Sequence, residues 1–309
     1  MQCTSVASPR VFEGLDRTAA AVLVLLCACW GLNQVAIKVA NTAISPGLQA
    51  GLRSVGGSAL VLVWAHARGI RLEWRDGTLG YGLLAGLLFA AEFFLIYAGL
   101  DLTTAARGVL FLYTSPFVVA LGAHFLLPGD RLTRTKLAGL IVAFVGLMTA
   151  FVDGLRLPTA PELTGDLMCF AAAALWGATT LLIKGTPLAR ARPEMILLYQ
   201  LGVSAVALPL VSLLLGEPGI VALDGVALLS LAYQIVVVAF ASYVAWFWLV
   251  TRYPASRLAA FSFLTPVFGV ALGGLLLQEP VSLALLLAVT LIGAGIYLVN
   301  RPAPEHGPA

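Results

Sequence analysis

A chain of 309 residues that is 60% hydrophobic and only 11% charged has too little polar material to coat a water-soluble globule of its size. Its mean hydropathy of +0.97 points to a bilayer as solvent. The net charge of +3 is small and scattered, which excludes the dense basic surface that nucleic-acid binding needs.

The apolar runs approach or exceed the roughly 20 residues needed to cross ~30 Å of hydrocarbon as a helix. They are continuous rather than alternating, so a membrane β-barrel is excluded. Arg10 and Arg17 precede the first run in the manner of a signal peptide, but that run is too long for one and passes into Asn33 and Lys38 without a small-residue cleavage site. It reads as a retained span. Splitting the hydropathy at polar and turn-rich punctuation predicts ten spans, numbered 1 to 10: 18–40, 46–67, 77–100, 104–127, 134–152, 165–185, 193–215, 224–251, 255–277 and 281–300. The fold class is all-α and polytopic, with tails at 1–17 and 301–309.

The longest connection, 153–164 with the sequence "DGLRLPTAPELT", divides the spans five and five. With the amino terminus inside, thirteen of the 18 basic residues fall on the cytoplasmic side and only Arg156 lies in an outer loop. Both termini are then cytoplasmic.

"WGLNQVAIK" (30–38) and "WGATTLLIK" (176–184) repeat Trp-Gly and Ile-Lys at an offset of 146. Pro46 matches Pro193 at 147, "AARGVLFLYTSP" (105–116) overlays "ASRLAAFSFLTP" (255–266) at 150, and Gly146 meets Gly295. These matches keep their order, so the halves 18–152 and 165–300 are read as duplicates. Because five is odd, the second copy enters the membrane upside down, giving inverted repeats about a pseudo-twofold axis in the membrane plane.

In these paired motifs, together with Arg53, the Pro116 and Pro266 helices and the acidic turns at Asp130 and Glu279, the chain resembles the EamA-type family of the drug/metabolite transporter superfamily, over residues 18–300. The resemblance implies a bacterial inner-membrane carrier, with a cavity lined by spans 1–4 and 6–9 and with spans 5 and 10 peripheral. It implies efflux of a small-molecule substrate without naming the molecule. Gln200 stands where the repeat would place the partner of Arg53, so a charge at that site cannot be assumed in both halves.

Glu92 lies deep in span 3, where a charged group costs roughly 2.5–3.5 kcal/mol and needs water or a partner. It could be a proton site, a ligand for a substrate ammonium, or half of a structural ion pair with Arg107; its repeat counterpart is Ser242. Arg107 could equally snorkel to headgroups. Trp30 and Trp176 stand well inside their spans, each followed by a Gly that admits a neighbouring backbone.

Trp30, Asn33, Gln34, Glu92, Tyr97, Tyr113, Trp176, Thr180, Gln200, Tyr243 and Trp246 are therefore the cavity candidates, with helix packing by the amides as the rival reading. Tyr199 and Trp248 read as interfacial aromatics. Lys38, Arg53 and Lys184 join Glu92 as coupling or gating candidates, although the two lysines also suit helix carboxyl ends. Pro116 and Pro266 each remove a backbone hydrogen bond and predict a bend that is either static or a hinge. Gly82/Gly86 and Gly269/Gly273 read as close-packing seams.

Cys3, Cys27, Cys29 and Cys169 have no metal or redox spacing, and His66, His124 and His306 form no catalytic motif. Neither a cofactor nor a metal nor enzyme chemistry is expected. A passive channel and a membrane sensor are the remaining alternatives to a carrier.

Overall fold

The computed structural model describes residues 15–74, 76–152, 157–276 and 283–301. Among them the architecture is helical, with one isolated bridge between Ile44 and Ile220. Ten spans follow in order. Spans 1 to 3 are Arg17–Asn41, Pro46–Ala67 and Leu79–Leu102; span 4 is broken into Ala105–Leu112 and Ser115–Leu126; span 5 is Arg134–Ala150. Spans 6 and 7 are Ala160–Gly185 and Pro193–Leu214, span 8 runs from Gly225 to Val250, span 9 is broken into Ala255–Phe261 and Leu264–Leu276, and span 10 is Leu283–Asn300. Eight spans are long and apolar enough to cross a membrane by themselves. The exceptions are span 2, diluted by buried Gln49, Arg53 and Ser54, and span 5, whose 17 residues reach only about 26 Å. The chain is a multi-pass membrane protein.

The helix ends follow from local chemistry. Asp16 accepts from the Ala19 amide at 2.7 Å and Asp224 from Ala227 at 2.7 Å, each satisfying a donor that a first turn leaves free. Pro46 and Pro193 occupy equivalent first turns, where the missing N–H costs nothing. Span 6 starts at Ala160 behind a Thr159–Glu162 capping box, so the end of the stretch read as linker is helix: the reciprocal cap starts the helix before the apolar run does.

The prolines also depart from expectation. Instead of one bend each, spans 4 and 9 stop after Leu112 and Phe261 and restart at Ser115 and Leu264. Pro116 and Pro266 sit in the first turn of the restarted pieces, where they are tolerated. Two irregularities lie outside the sequence expectations: Pro209 inside span 7, and a π-helical stretch, Gln234–Ser242, in span 8.

The termini of the bundle mark its orientation. Tyr253 donates to Asp16 at 3.2 Å and Asp130 contacts Ser256, so the start of span 1 and the 4–5 and 8–9 turns share one face, called here the terminal face. Thr103 donates to Asp166 at 2.7 Å on the far face, the end at which the Ile44–Ile220 bridge also lies. Span 1 therefore starts at the terminal face and span 6 at the far face, which is the inversion.

The packing obeys the same twofold relation. Span 3 packs on span 6 as span 8 packs on span 1, and span 4 on span 6 as span 9 on span 1, while 2 pairs with 7 and 5 with 10. The glycines show it atom by atom. A Cβ on Gly146 would lie 2.8 Å from Leu291 Cβ and 3.0 Å from the Ala288 oxygen; on Gly295 it would lie 2.5 Å from the Gly139 oxygen and 2.6 Å from the Ala143 nitrogen. Ala288 and Gly295 are the repeat equivalents of Gly139 and Gly146. Gly31 likewise meets Thr265, Phe268 and Gly269, and Gly177 meets Val118 and Val119. The doubled Trp-Gly thus seats span 1 on span 9 and span 6 on span 4.

The Gly82/Gly86 seam holds span 3 against Tyr199 and Val203 of span 7. Tyr199, read as an interfacial aromatic, is enclosed by protein: it is buried, its hydroxyl lies 3.0 Å from Thr78 Oγ1 at the start of span 3, and its ring meets Trp74 edge-on. Trp248 lies under the Arg252 guanidinium at 4.5 Å, near the terminal face. The side chains of Gln34, Lys38 and Tyr97, the partner position Gly273, the Glu279 turn, Arg156 and most of both tails lie outside the described residues.

Candidate functional site

Between the two self-paired seams, 2 with 7 and 5 with 10, lies a cavity of about 660 Å³ walled by spans 1–4 and 6–9, with Phe151 beyond the end of span 5. Both repeats build it, and it straddles their twofold axis. Its lining includes Trp30, Asn33, Glu92 and Tyr113 from the first repeat, and Trp176, Thr180, Gln200, Tyr243 and Trp246 from the second. Arg53 and Pro266 also form part of the wall. Pro116 and Lys184 do not.

The aromatic side chains form one continuous surface. Trp30 meets Trp246 edge-on at 5.4 Å and Tyr243 at 6.4 Å, Trp176 lies 5.8 Å from Trp246, and Phe89 joins Tyr243 at 6.2 Å and Phe93 at 4.7 Å. The edge-to-face contacts among these, of Trp30 with Trp246 and Tyr243 and of Phe89 with Tyr243, add about 0.5–1.5 kcal/mol each to area burial and hold the rings in place. The Trp30 indole donates to Ser242 Oγ at 2.9 Å, and Ser242 donates back along its own helix to Val238. That bond ties span 1 to the last π-helical residue of span 8.

The depth of Arg53 follows from the seam. Ser204 donates to Ser54 at 2.9 Å, while Gly51 faces Pro209 and Gly57 faces Leu201. In this antiparallel pair the self-equivalent level falls near residue 55, so Arg53 stands only two residues, about 3 Å along the helix, from the level of the axis. It is 1% exposed, and its guanidinium lies 4.2 Å from the Phe93 ring centre. Gln200, its repeat equivalent, stands at the matching level on the other side.

Glu92 is buried and has Arg53 as its opposing charge, yet the two form no salt bridge. Glu92 Oε2, Asn33 Oδ1, Gln200 Nε2 and the Arg53 Nε and Nη2 atoms all lack a hydrogen-bond partner. Native interiors rarely leave several such groups together. The ion pair with Arg107, one of the three readings of Glu92, is not what the structure contains: Arg107 Nε donates to Asp166 at 3.1 and 3.3 Å, and its Nη2 completes a salt bridge to the same carboxylate. Asp166 lies at the span 4–span 6 contact, where Thr103 also donates to it.

Lys184 donates to the Val250 and Tyr253 carbonyls at 2.7 and 2.6 Å. It satisfies free carbonyls at a helix end, those of span 8 rather than its own. Nearby, Asp130 accepts from Lys136 Nζ at 2.8 Å and from the Ser256 amide at 2.9 Å, with the Ser256 hydroxyl also bonded to it. A loop of the first repeat thereby caps the first turn of span 9. Burial alone would raise the Asp130 carboxyl; the Lys136 and Ser256 bonds more than reverse this and hold it below the ordinary carboxylate range.

Because the folded pKa is depressed, the Asp130 contribution is present above the unfolded value of about 3.9 and is lost as pH falls through the folded value. Asp130→Asn is expected to cost about 1–3 kcal/mol near neutral pH. The difference in thermal midpoint between the two proteins should shrink as pH falls below about 4. A difference independent of pH would separate Asp130 from this role.

The sequence reading missed Asp166, Ser242 as the Trp30 acceptor, and the Phe89–Phe93 pair. A polar residue seven positions into span 6 was the available signal for the first.

The chain matches the EamA-like transporter family twice, over residues 17–152 and 163–301. It is 30% identical to a "Probable amino-acid metabolite efflux pump" of Salmonella typhimurium, covering 92% of this chain and 95% of the relative. It is 29% identical to a protein of the same description from Escherichia coli, with the same coverage. An "Uncharacterized transporter" of Archaeoglobus fulgidus is 26% identical over 91% of this chain and 98% of its own. A solved crystal structure superposes with a TM-score of 0.77 at 21% identity, covering 92% of this chain and 96% of that one, and so shares the fold. With its two matching halves, its inverted spans and its full-length relatives, the chain belongs to the EamA-like transporter family.

Proposed function

We propose that the protein is a plasma-membrane secondary exporter of small polar or amphipathic metabolites, such as amino acids or drugs, working by alternating access of its inverted repeats. The observation that carries this reading is the cavity of about 660 Å³ on the twofold axis, walled by both repeats. Two similar half-bundles facing opposite ways can exchange conformations, which moves the opening from one face to the other around a fixed site. The aromatic wall suits an apolar body, and the buried polar groups suit a charged or dipolar head. The printed descriptions of the Salmonella and Escherichia relatives favour an amino-acid metabolite as cargo and efflux as direction.

The bias of basic residues supports a cytoplasmic terminal face. There, the Asp130–Ser256 and Asp16–Tyr253 bonds join the repeats, which supports an arrangement closed toward the cytoplasm. Saturable counterflow in proteoliposomes, screened across amino acids, nucleobases, polyamines and cationic drugs, tests the proposal. Ohmic conductance without counterflow would replace a carrier with a channel.

Glu92 is the proton-coupling residue in this reading, since it is a buried carboxyl on the cavity wall without a hydrogen bond to Oε2. Glu92→Gln is expected to lower pH-gradient-driven flux at least about tenfold, the scale of one lost proton-transfer group, while gradient-free counterflow persists. Undiminished pH-driven flux in the variant would remove the role.

A further inference from the structure

We infer that Arg53 is a carboxylate subsite, so that the cargo of this cavity carries a free carboxylate on an apolar body. The inference rests on the transporter reading of the cavity and narrows its substrate class. It starts from one edge of one side chain. A guanidinium binds a carboxylate bidentately through two parallel N–H groups, and the side-on fork uses Nε with the neighbouring Nη.

The chain already contains a worked instance: Arg107 holds Asp166 through Nε and Nη2. In Arg53 the same two atoms, Nε and Nη2, are buried and have no partner. The guanidinium rests against Phe93, a contact that fixes its plane without using an N–H of the fork. Glu92 opposes it in charge but forms no salt bridge with it.

A guanidinium this deep is costly unless paired, and the cavity wall is where a partner can arrive. Arg53 lines the cavity, while both fork atoms are shielded from solvent in the arrangement described here, so a carboxylate reaches them as the repeats shift against each other. A second donor completes the subsite. Gln200, buried and with Nε2 unpartnered, occupies the position equivalent to Arg53 in the other repeat and lines the same cavity.

The two donors lie on opposite sides of the twofold level, so a carboxylate held chiefly by Arg53 can lean toward Gln200 as the repeats exchange conformations. Asn33 Oδ1 and Glu92 Oε2 are acceptors without partners and suit an ammonium or hydroxyl elsewhere on the cargo. The Trp30–Trp246–Trp176 surface suits its hydrocarbon part. A cationic drug with no acid group would leave the fork empty and add a second positive charge beside it.

The test uses the purified full-length protein and two matched series: leucine, 4-methylpentanoate, leucine methyl ester and isoamylamine; and phenylacetate, its methyl ester and phenethylamine. Binding is read by calorimetry, and counterflow by exchange in proteoliposomes. The expected result is binding of at least one free acid in each series, with the matching ester and amine at least about tenfold weaker, as loss of a charge-assisted pair demands. Arg53→Gln, shown to be folded by its thermal midpoint, should weaken the acids at least about tenfold, and Arg53→Lys should restore only part, because an ammonium lacks the fork.

Ester or amine binding as strong as that of the acid, or no binding by any acid, overturns the subsite; the wild-type series decides this even where the variants fail to fold. Acid binding abolished by inorganic phosphate at a concentration equal to that of the acid would reassign the fork to anions in general and overturn it too. Acid-selective binding without counterflow would support the subsite and defeat the transporter reading. Counterflow of esters or amines would do the reverse.

Discussion

Gly295→Ala should lower the stability of the detergent-solubilised protein by about 2–3 kcal/mol, and Gly295→Val should cost more. A Cβ at this position lies 2.5 Å from one backbone atom and 2.6 Å from another on span 5, so the helices themselves must part. The twin change Gly146→Val meets Leu291 Cβ at 2.8 Å and a backbone oxygen at 3.0 Å, and should be somewhat milder. Gly293, two residues from Gly295 in the same span, has nothing within 4 Å of the added carbon. Gly293→Ala should therefore be neutral or stabilising by up to about 1 kcal/mol through helix propensity. Thermal unfolding of the set checks the ranking, and equal effects at 293 and 295 would refute the seam.

Asp166→Ala should cost about 3–5 kcal/mol, because it removes the carboxylate that the Arg107 guanidinium holds in a largely buried contact. The paired side chains are only 11% and 4% exposed. Asp166→Leu combined with Arg107→Met should recover most of the loss, since removing both partners leaves no uncompensated charge. If the double variant proved as unstable as the single one, packing rather than charge would account for the site. This pair joins span 4 to span 6 and hence one repeat to the other, so the thermal midpoint should be read alongside counterflow.

Much of the architecture was legible because the bilayer simplifies the problem. Long apolar runs separated by Pro, Gly and charge give the spans, and an odd number of spans per repeat dictates inversion. The paired Trp-Gly motifs were readable as duplicates, and the structure supplies their purpose: Gly31 and Gly177 admit the equivalent stretches of spans 9 and 4. Wall positions were less legible, because a helix in lipid is apolar all round and carries no amphipathic stripe to orient it. Trp30, Glu92 and Gln200 stood out only as polar or aromatic residues at central depth.

Pairings between distant spans were not legible. Glu92 and Arg107 are close in sequence and opposite in charge, yet Arg107 turns to Asp166, 59 residues on. Tyr199 looked like a headgroup residue from its place near a helix start, but Gly82 and Gly86 bring span 3 close enough to enclose it. Helix starts at Ala160 and Ser115 were set by caps and prolines rather than by hydropathy, which marks where lipid begins and not where hydrogen bonding begins.

Span 8 carries π-helical turns from Gln234 to Ser242 and 26 residues, against the 24 of its regular counterpart, span 3. Two truly identical halves would make the inward and outward openings equal in free energy, and the molecule would divide its time evenly between them. With a wider helical stretch on one side and Glu92 answered by Ser242 on the other, that degeneracy is lifted. Under the alternating access proposed above, the empty protein would then dwell longer facing one compartment, so half-saturation would fall at different cargo concentrations on the two faces, while flux between equal concentrations would still cancel.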